Sequence, residues 1–527
     1  MGIPRQAPRQ FPRTVGVIGG GTAGYFAALA LKRRFPALHV TLVESSAVPI
    51  IGVGEATTTL MPPFLHHQLG LDIVEMFRAV KPTFKLGIKF LWGLPGDHGF
   101  TYPFGDAWPI DSFAFERDLR PQSLVSLLMS DDLGPLVRGP DGSLLSLLPS
   151  LKFAYHLENK SFVAYLARTA ALAGIDRVDA TIDGVPVDDA GVARLHASDG
   201  RELSFDLYVD ATGFRSLLLG SALGSPFKSF ASSLFCDRAI VATLPQDGPV
   251  EPYTTAETMN AGWCWRIPVA GEDHRGYVYA SSFLDESAAV DEMREKNHGM
   301  GEPSFVRFRS GRHRDFWVGN TVGVGNSYGF VEPLESTALH MVIIEIAYVL
   351  EALESLRNGR LDPAFPDTAS RRIGEHWDYL RWFLAVHYRF NRRLETPFWR
   401  AARTDVDVSG AAEVLERFRR EGPWLQSDAA RFAVGDPAFG YSGLMMLLLG
   451  QAAEGSERAR PSMARADWDA LVARNRAVAR RALPQREALE ALLADPAKLV
   501  QFVESPSSWL HAEGQHAATL ARSQSCE

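Results

Sequence analysis

The sequence predicts an α/β fold: a parallel sheet wound with helices, an inserted antiparallel sheet and a helical C-terminal region. Three observations predict it. A short apolar strand runs through a run of glycines into an Ala/Leu-rich helix and then a second strand that ends on an acid. Residues 229–310 alternate apolar and polar with Gly/Pro breaks, the period of antiparallel strands. After Leu339 the apolar spacing becomes helical and stays so to about residue 505.

The first unit is Thr14-Val15-Gly16-Val17-Ile18, the turn Gly19-Gly20-Gly21-Thr22-Ala23-Gly24, a helix from Tyr25 to Arg33, and the strand His39-Val40-Thr41-Leu42-Val43 ending at Glu44. Gly19 permits the tight turn, Gly21 lets the backbone approach a pyrophosphate, and Gly24 lets helix and strand pack closely. The helix N-terminus offers free N–H groups to phosphate, with Thr22 and Ala23 among the expected contacts. Glu44 lies 20 residues after Gly24, where a carboxylate accepts from ribose hydroxyls and disfavours a 2′-phosphate. Strand, glycines, helix, strand and acid in this order define a Rossmann-type dinucleotide site. Leu207-Tyr208-Val209-Asp210-Ala211-Thr212-Gly213 resembles the second dinucleotide-contacting strand of two-domain flavoproteins. The strand Phe316-Trp317-Val318 leads into Gly319 to Gly325, which returns the chain to the same site. No second complete Gly-x-Gly-x-x-Gly offers itself to a nicotinamide cofactor. FAD bound alone is expected, with its reducing equivalents arriving from outside.

Composition narrows the classes. The chain has 527 residues, 46% of them hydrophobic, enough for a large core in two or three subregions. The net charge of −8 is spread without long runs, which argues against a nucleic-acid partner. Cys236, Cys264 and Cys526 make neither a disulfide framework nor a metal-ligand spacing, and a reducing cytoplasm fits. Residues 1–13 are basic and proline-rich without the apolar core of a signal peptide. No apolar run reaches about 18 residues, so no membrane span is expected. The most apolar run, Leu444 to Leu449, is short and reads as buried helix.

Along the chain, residues 14–400 are expected to form the cofactor-binding module with its inserted sheet, and residues 401–505 a helical region covering the substrate. Residues 1–13 and 506–527 are expected to be flexible tails. Residues 100–160 read as irregular, then helical. Short strands at 177–200 suggest a small antiparallel sheet near the first unit, and residues 229–310 a sheet roofing a substrate chamber.

Five segments carry a family resemblance: Gly19 to Gly24, Gly52-Val53-Gly54-Glu55-Ala56-Thr57, Phe84-Lys85, Trp263-Cys264-Trp265-Arg266-Ile267-Pro268, and Phe330-Val331-Glu332-Pro333-Leu334-Glu335-Ser336-Thr337. Together they resemble the flavin-dependent tryptophan halogenase family, well over residues 14–400 and loosely in the last quarter. The resemblance implies FAD, chloride or bromide, oxygen, and a separate flavin reductase supplying FADH2. It implies that reduced flavin and oxygen give a C4a-hydroperoxide, that halide attacks it to yield hypohalous acid, and that this acid crosses a tunnel to an aromatic substrate. A homodimer is left open.

By the same resemblance Lys85 is the catalytic lysine that positions or captures the hypohalous acid, a task needing a lysine screened from water. Lys89, four residues on, is the competing position. Glu335 matches the second catalytic residue, placed to take the arenium proton or to hold Lys85 charged; as an acid before an apolar helix it also reads as a helix-terminus group. Ser336 links the two chambers through its backbone carbonyl. Thr337 and Ala338 occupy the halide-binding pair, where Ala338 replaces the usual glycine and its methyl crowds the anion. Trp263 and Trp265 match the flavin-side tunnel wall, although alternate residues of one strand also share a face in ordinary packing. Gly54, Glu55 and Ala56 belong to the loop that covers the flavin, and Gly325 to the returning turn.

The substrate is the least legible part. Tyr102-Pro103-Phe104 stands about where tryptophan-specific members carry a His-x-Phe pair. Phe104 fits and Tyr102 departs from it. No tyrosine-rich lid for a free amino acid is evident, and His387 and Trp399 are aromatic candidates in the helical region. An electron-rich ring, phenol or indole, is expected, with free tryptophan not preferred. A flavin-dependent aromatic hydroxylase is the alternative enzyme, and a catalytically silent flavin-binding protein the alternative outside enzymes.

Overall fold

A computed structural model describes residues 10–48, 54–105, 109–246, 248–424 and 440–504. Its organising layer is a six-stranded sheet in the order Asp176–Asp179, His39–Glu44, Thr14–Ile18, Leu207–Asp210, Thr321–Gly323 and Trp317–Val318. The first five strands run parallel and the last is antiparallel. Val17 and Ile18, Leu42 and Val43, and Tyr208 and Val209 are buried, as expected of strands covered on both faces. The helix Thr22–Arg34 packs on this sheet, and the helix Thr337–Arg357 packs against that helix.

The second layer is a seven-stranded sheet, ordered Ser304–Arg307, Arg238–Pro245, Glu272–Tyr279, Gly262–Val269, Thr254–Met259, Gly87–Leu91 and Phe100–Pro103. All its pairings are antiparallel except Thr254–Met259 with Gly87–Leu91. Alternation over 229–310 therefore identified five of the seven strands; the other two come from the segment holding Lys89 and Tyr102.

A three-stranded sheet joins the layers. Ala154–Glu158 pairs antiparallel with Gly54–Ala56 and with Thr83–Lys85. Gly54–Ala56, expected as a mobile loop, is thus a strand, with Gly54 packed so closely on His274 that a Cβ would crowd its ring. Gly52 and Val53 lie outside the described residues. Lys85 and Lys89 sit on different sheets, because the chain breaks pairing at Leu86.

Residues 100–160 hold the helices Pro109–Glu116 and Leu124–Ser130 and the paired strands Leu133–Arg138 and Leu144–Ser146 rather than irregular chain. The strand Asp176–Asp179 joins the parallel sheet, and two small antiparallel sheets follow it, one of Ile182–Gly184, Leu195–Ala197 and Glu202–Leu203, the other of Val187–Asp188 and Gly191–Val192. Past residue 400 the helical reading meets helices Pro397–Asp405, Ala412–Glu421, Tyr441–Gly450, Arg465–Ala479, Gln485–Ala494 and Pro496–Val503. Ala482–Pro484 pairs with Leu133–Arg138, and the helix Gln485–Ala494 packs behind the strand Thr83–Lys85. Leu444 to Leu449 are buried.

At the N-terminus the chain is anchored from Phe11 onward, short of the expected end of the tail. Phe11 packs edge-on against Phe35 with ring centroids 5.3 Å apart, and the Arg13 N–H donates to Asp206 Oδ2 at 2.7 Å. No helix among the described residues is long and apolar enough to cross a membrane.

Candidate active site

A cavity of about 850 Å³ opens at the C-terminal ends of the parallel strands, the crevice where α/β sheets bind nucleotides. Gly19, Gly20, Gly21, Thr22 and Ala23 line it, with Glu44, Glu55, Ala211 to Gly213, Gly325, Pro333 and Ala338. Gly19 has φ +123°, which a side chain would strain. A Cβ on Gly21 would meet nothing within 4 Å, so the space beside it is open to a ligand. Gly24 faces away: its Cβ would collide with the Gly19 carbonyl, so it serves close packing of helix on strand. The helix Thr22–Arg34 starts from extended Gly21 with no side-chain cap and no acid in its first turn, which leaves its N–H groups and positive end for phosphate.

The residues fit a flavin dinucleotide. Thr22 Oγ1 and Trp265 Nε1 are buried without a hydrogen-bond partner among the described residues, and both residues line the cavity. Glu44 accepts from Arg177 and from the Tyr25 hydroxyl, so a ribose would share it with Arg177, itself a lining residue. Asp210 does not line the cavity. It is buried, and its carboxylate accepts from the N–H groups of Thr212, Leu218 and Leu219, which shapes the lining turn Ala211 to Gly213. Gly54 and Ala56 also stay off the cavity wall, leaving Glu55 as the contact from that strand. Burial raises the Glu55 carboxyl to about 6.

Lys85 is wholly buried at the end of its strand. Its Nζ donates to the Thr57 carbonyl at 3.0 Å and contacts Ser336 Oγ at 2.6 Å, and it sits 5.3 Å from the centroid of the Phe104 ring. Burial lowers its pKa from 10.5 to about 7, while the charge of Glu335 pulls the other way. Lys89 instead lies over the Tyr253 ring at 5.4 Å and is only partly buried. The position screened from water is therefore that of Lys85.

The turn Pro333–Glu335 and the first residues of the helix Thr337–Arg357 bring the two regions together. Pro333 and Ala338 line the dinucleotide cavity, whereas Ser336 faces Lys85. Ser336 takes φ +59°, a left-handed conformation that reverses the chain at the helix start. Its hydroxyl, rather than the backbone carbonyl that the resemblance singles out, is the group that meets Lys85. It consequently makes no capping bond to the helix. Glu335 makes no cap either: its Oε1 lies 2.7 Å from His387 Nε2. Thr337 is buried, its Oγ1 without a partner among the described residues, and Ala338 lines the cavity.

Trp263 and Trp265 project from one strand, ring centroids 6.0 Å apart, both buried. Trp265 lines the dinucleotide cavity, where Gly276 on the neighbouring strand leaves room for its indole. Trp263 lies behind it and donates from Nε1 to Glu332 Oε2 at 2.9 Å. Glu332 also accepts from the Tyr388 hydroxyl, and burial raises its carboxyl to about 7. Tyr102 is partly buried with its hydroxyl against Gly443 of the helix Tyr441–Gly450, and Trp399 is a core residue donating to the Met259 carbonyl. Glu332, Tyr388 and the pairing of His387 with Glu335 were not foreseen. Their only signal is helical phase, since His387 and Tyr388 are neighbours on the helix Phe365–Phe390 and point to different acids.

Residues 14–464 match the tryptophan halogenase family. The chain is 32% identical to tryptophan 7-halogenase RebH of Lentzea aerocolonigenes over 438 residues, 76% of this chain and 81% of that one. Its fold superimposes on MibH, a lanthipeptide tryptophan 5-halogenase, with TM-score 0.89 and 45% identity over 96% of this chain and 98% of that one. It also superimposes on Xcc4156, a flavin-dependent halogenase from Xanthomonas campestris, with TM-score 0.80 and 28% identity over 92% and 98% of the two chains. The fold and site thus define a flavoenzyme class that halogenates aromatic rings. The chain belongs to the tryptophan halogenase family.

Proposed function

We propose that this enzyme uses FADH2 from a separate flavin reductase, oxygen, and chloride or bromide to halogenate an electron-rich ring, indole or phenol, through hypohalous acid delivered to Lys85. The observation that carries the reading is the two-faced turn: within six residues, Pro333 and Ala338 border the dinucleotide cavity while Ser336 meets the buried lysine. Bound flavin would supply the oxygen chemistry that turns halide into hypohalous acid. Gly19 to Ala23, Glu44, Glu55 and Gly325 would hold it, and Trp265 would border it.

The protein's own groups do the rest. Free N–H groups at Thr337 and Ala338 suit a halide. Trp263 and Trp265 wall the organic substrate from the cofactor. The Lys85 ammonium donates to the oxygen of hypohalous acid, which makes the halogen more electrophilic. Phe104 supplies a ring face beside it, and Glu335 receives the proton that the ring must lose.

For the substrate we propose the indole of a tryptophan carried in a peptide. The 45% identity to the lanthipeptide halogenase MibH supports this, as does the chemistry around Lys85. Phe104 lies beside Lys85 and Phe90 and Phe383 pack around His387, while Glu335 is engaged by His387, and Lys85 by Thr57 and Ser336. A free amino acid brings an ammonium and a carboxylate, each costly to bury unpaired.

The test is mass spectrometry of an aromatic panel incubated with FAD, a reductase, NADH and bromide. Gain of one bromine supports the proposal. Gain of one oxygen instead would assign the protein to the hydroxylases.

A further inference from the structure

His387 is fully buried on the helix Phe365–Phe390. Phe90, Phe383 and Trp92 surround its ring at centroid distances of 5.3, 5.4 and 6.2 Å. Both its nitrogens are engaged. Nδ1 lies 2.9 Å from the Phe383 carbonyl, and Nε2 lies 2.7 Å from Glu335 Oε1.

A carbonyl oxygen only accepts, so Nδ1 carries hydrogen. Nε2 and a carboxylate oxygen would repel one another at 2.7 Å without a proton between them. The pair therefore holds one proton, as carboxylic acid with imidazole or carboxylate with imidazolium. Glu335 is not an isolated base: its Oε1 is engaged by a histidine nitrogen.

We propose that His387 is a positioning residue that acts through Glu335 as the terminal proton acceptor of ring halogenation. The inference rests on the reading of Glu335 as the base. In the step, the halogen of hypohalous acid bonds to a ring carbon as the O–halogen bond breaks. The departing hydroxide takes a proton from Lys85 and leaves as water. The ring C–H bond then breaks, its electron pair restoring aromaticity, and its proton goes to Glu335 Oε2. The proton shared by Oε1 and Nε2 comes to rest on Nε2, so the pair ends as carboxylic acid and imidazolium and carries the positive charge of the arenium. The pair has gained the one proton that Lys85 lost, and returning it resets the site. In sum, hypohalous acid and arene become haloarene and water.

The experiment uses the full chain with FAD, reductase, bromide and an indole substrate, either protiated or deuterated on the ring. His387→Gln keeps an N–H for Glu335 but cannot accept a proton. FAD binding, followed by fluorescence, confirms that the site is formed, and His387→Asn is carried through the same assays. The relay predicts a fall in kcat of about 10- to 100-fold with KM little changed, while flavin oxidation continues. It also predicts a primary isotope effect that rises from near 1 to about 2 or more, as ring deprotonation becomes limiting. A kcat within about twofold of wild type, or a slow variant without an isotope effect, would overturn the relay. Glu335→Gln separates the two failures. Wild-type turnover there removes the base itself; a loss of about 10²- to 10⁴-fold there, with His387→Gln unaffected, removes only the relay.

Discussion

An ammonium taken out of water needs strong partners, and Lys85 is fully buried on one carbonyl and one hydroxyl. The folded chain releases its proton near pH 7, whereas the unfolded chain keeps it to about 10.5. Between these values the unfolded state binds one more proton, so stability rises with pH by about 1.4 kcal/mol per unit. Lys85→Met removes this dependence. The stability of wild type relative to Lys85→Met should climb from pH 7 to pH 9.5 and flatten below pH 7, as read by denaturant melts of the apo-protein. A constant gap would mean that water reaches the amine. For function, Lys85→Ala should abolish ring halogenation while reduced flavin is still oxidised, because the oxygen chemistry is assigned to the cavity and not to the lysine. Product mass spectrometry beside oxygen uptake checks this, and retained product would move the role elsewhere, first to Lys89.

At the scale of elements, the glycine turn divides its labour between ligand and fold. Gly21 faces open space and Gly24 faces the Gly19 carbonyl. Gly21→Val should leave the melting temperature of the apo-protein near wild type and abolish FAD binding, since its side chain would fill the pyrophosphate path. Gly24→Ala should destabilise the apo-protein by about 1–3 kcal/mol, because backbone must shift to admit the methyl. Thermal melts paired with FAD titrations measure both, and equal behaviour of the two variants would contradict the division. The strand Gly54–Ala56 works similarly as a bridge. Glu55 reaches the cavity, and Thr57, the first residue after the strand, offers its carbonyl to Lys85.

Over the whole molecule, two sheets divide the work. The parallel sheet borders the cavity lined by Gly19 to Ala23, and the chain carries one complete glycine fingerprint, so NADH without a reductase should fail to bleach bound FAD. Rapid bleaching in a stopped-flow trace would refute this. On the substrate side, tryptophan inside a short peptide, or with both termini blocked, should be halogenated faster than free tryptophan, because blocking removes two charges that need buried partners. Side-by-side turnover with matched concentrations decides it. Faster conversion of the free amino acid would place the enzyme among those acting on the zwitterion.

Local pattern alone was enough for the glycine turn and the strands and helix around it. Gly19 to Gly24 are contiguous and their geometry is set by backbone sterics; Gly19, Gly20 and Gly21 line the cavity with Glu44, and Gly24 packs helix on strand. The alternating run 229–310 was legible for the same reason, since strand period is a local property. Lys85 and Glu335 were legible only as motif members, and their partners were not. Ser336 meets Lys85 across 251 positions, and His387 meets Glu335 across 52. No periodicity encodes such pairs. They follow from how the helix Phe365–Phe390 packs against the turn Pro333–Glu335 and from where pairing breaks at Leu86. Tertiary packing likewise settled that Asp210 shapes the cavity wall while Glu55 lines it. A buried carboxylate goes to whichever N–H groups the fold places within reach, and only the folded chain determines which those are.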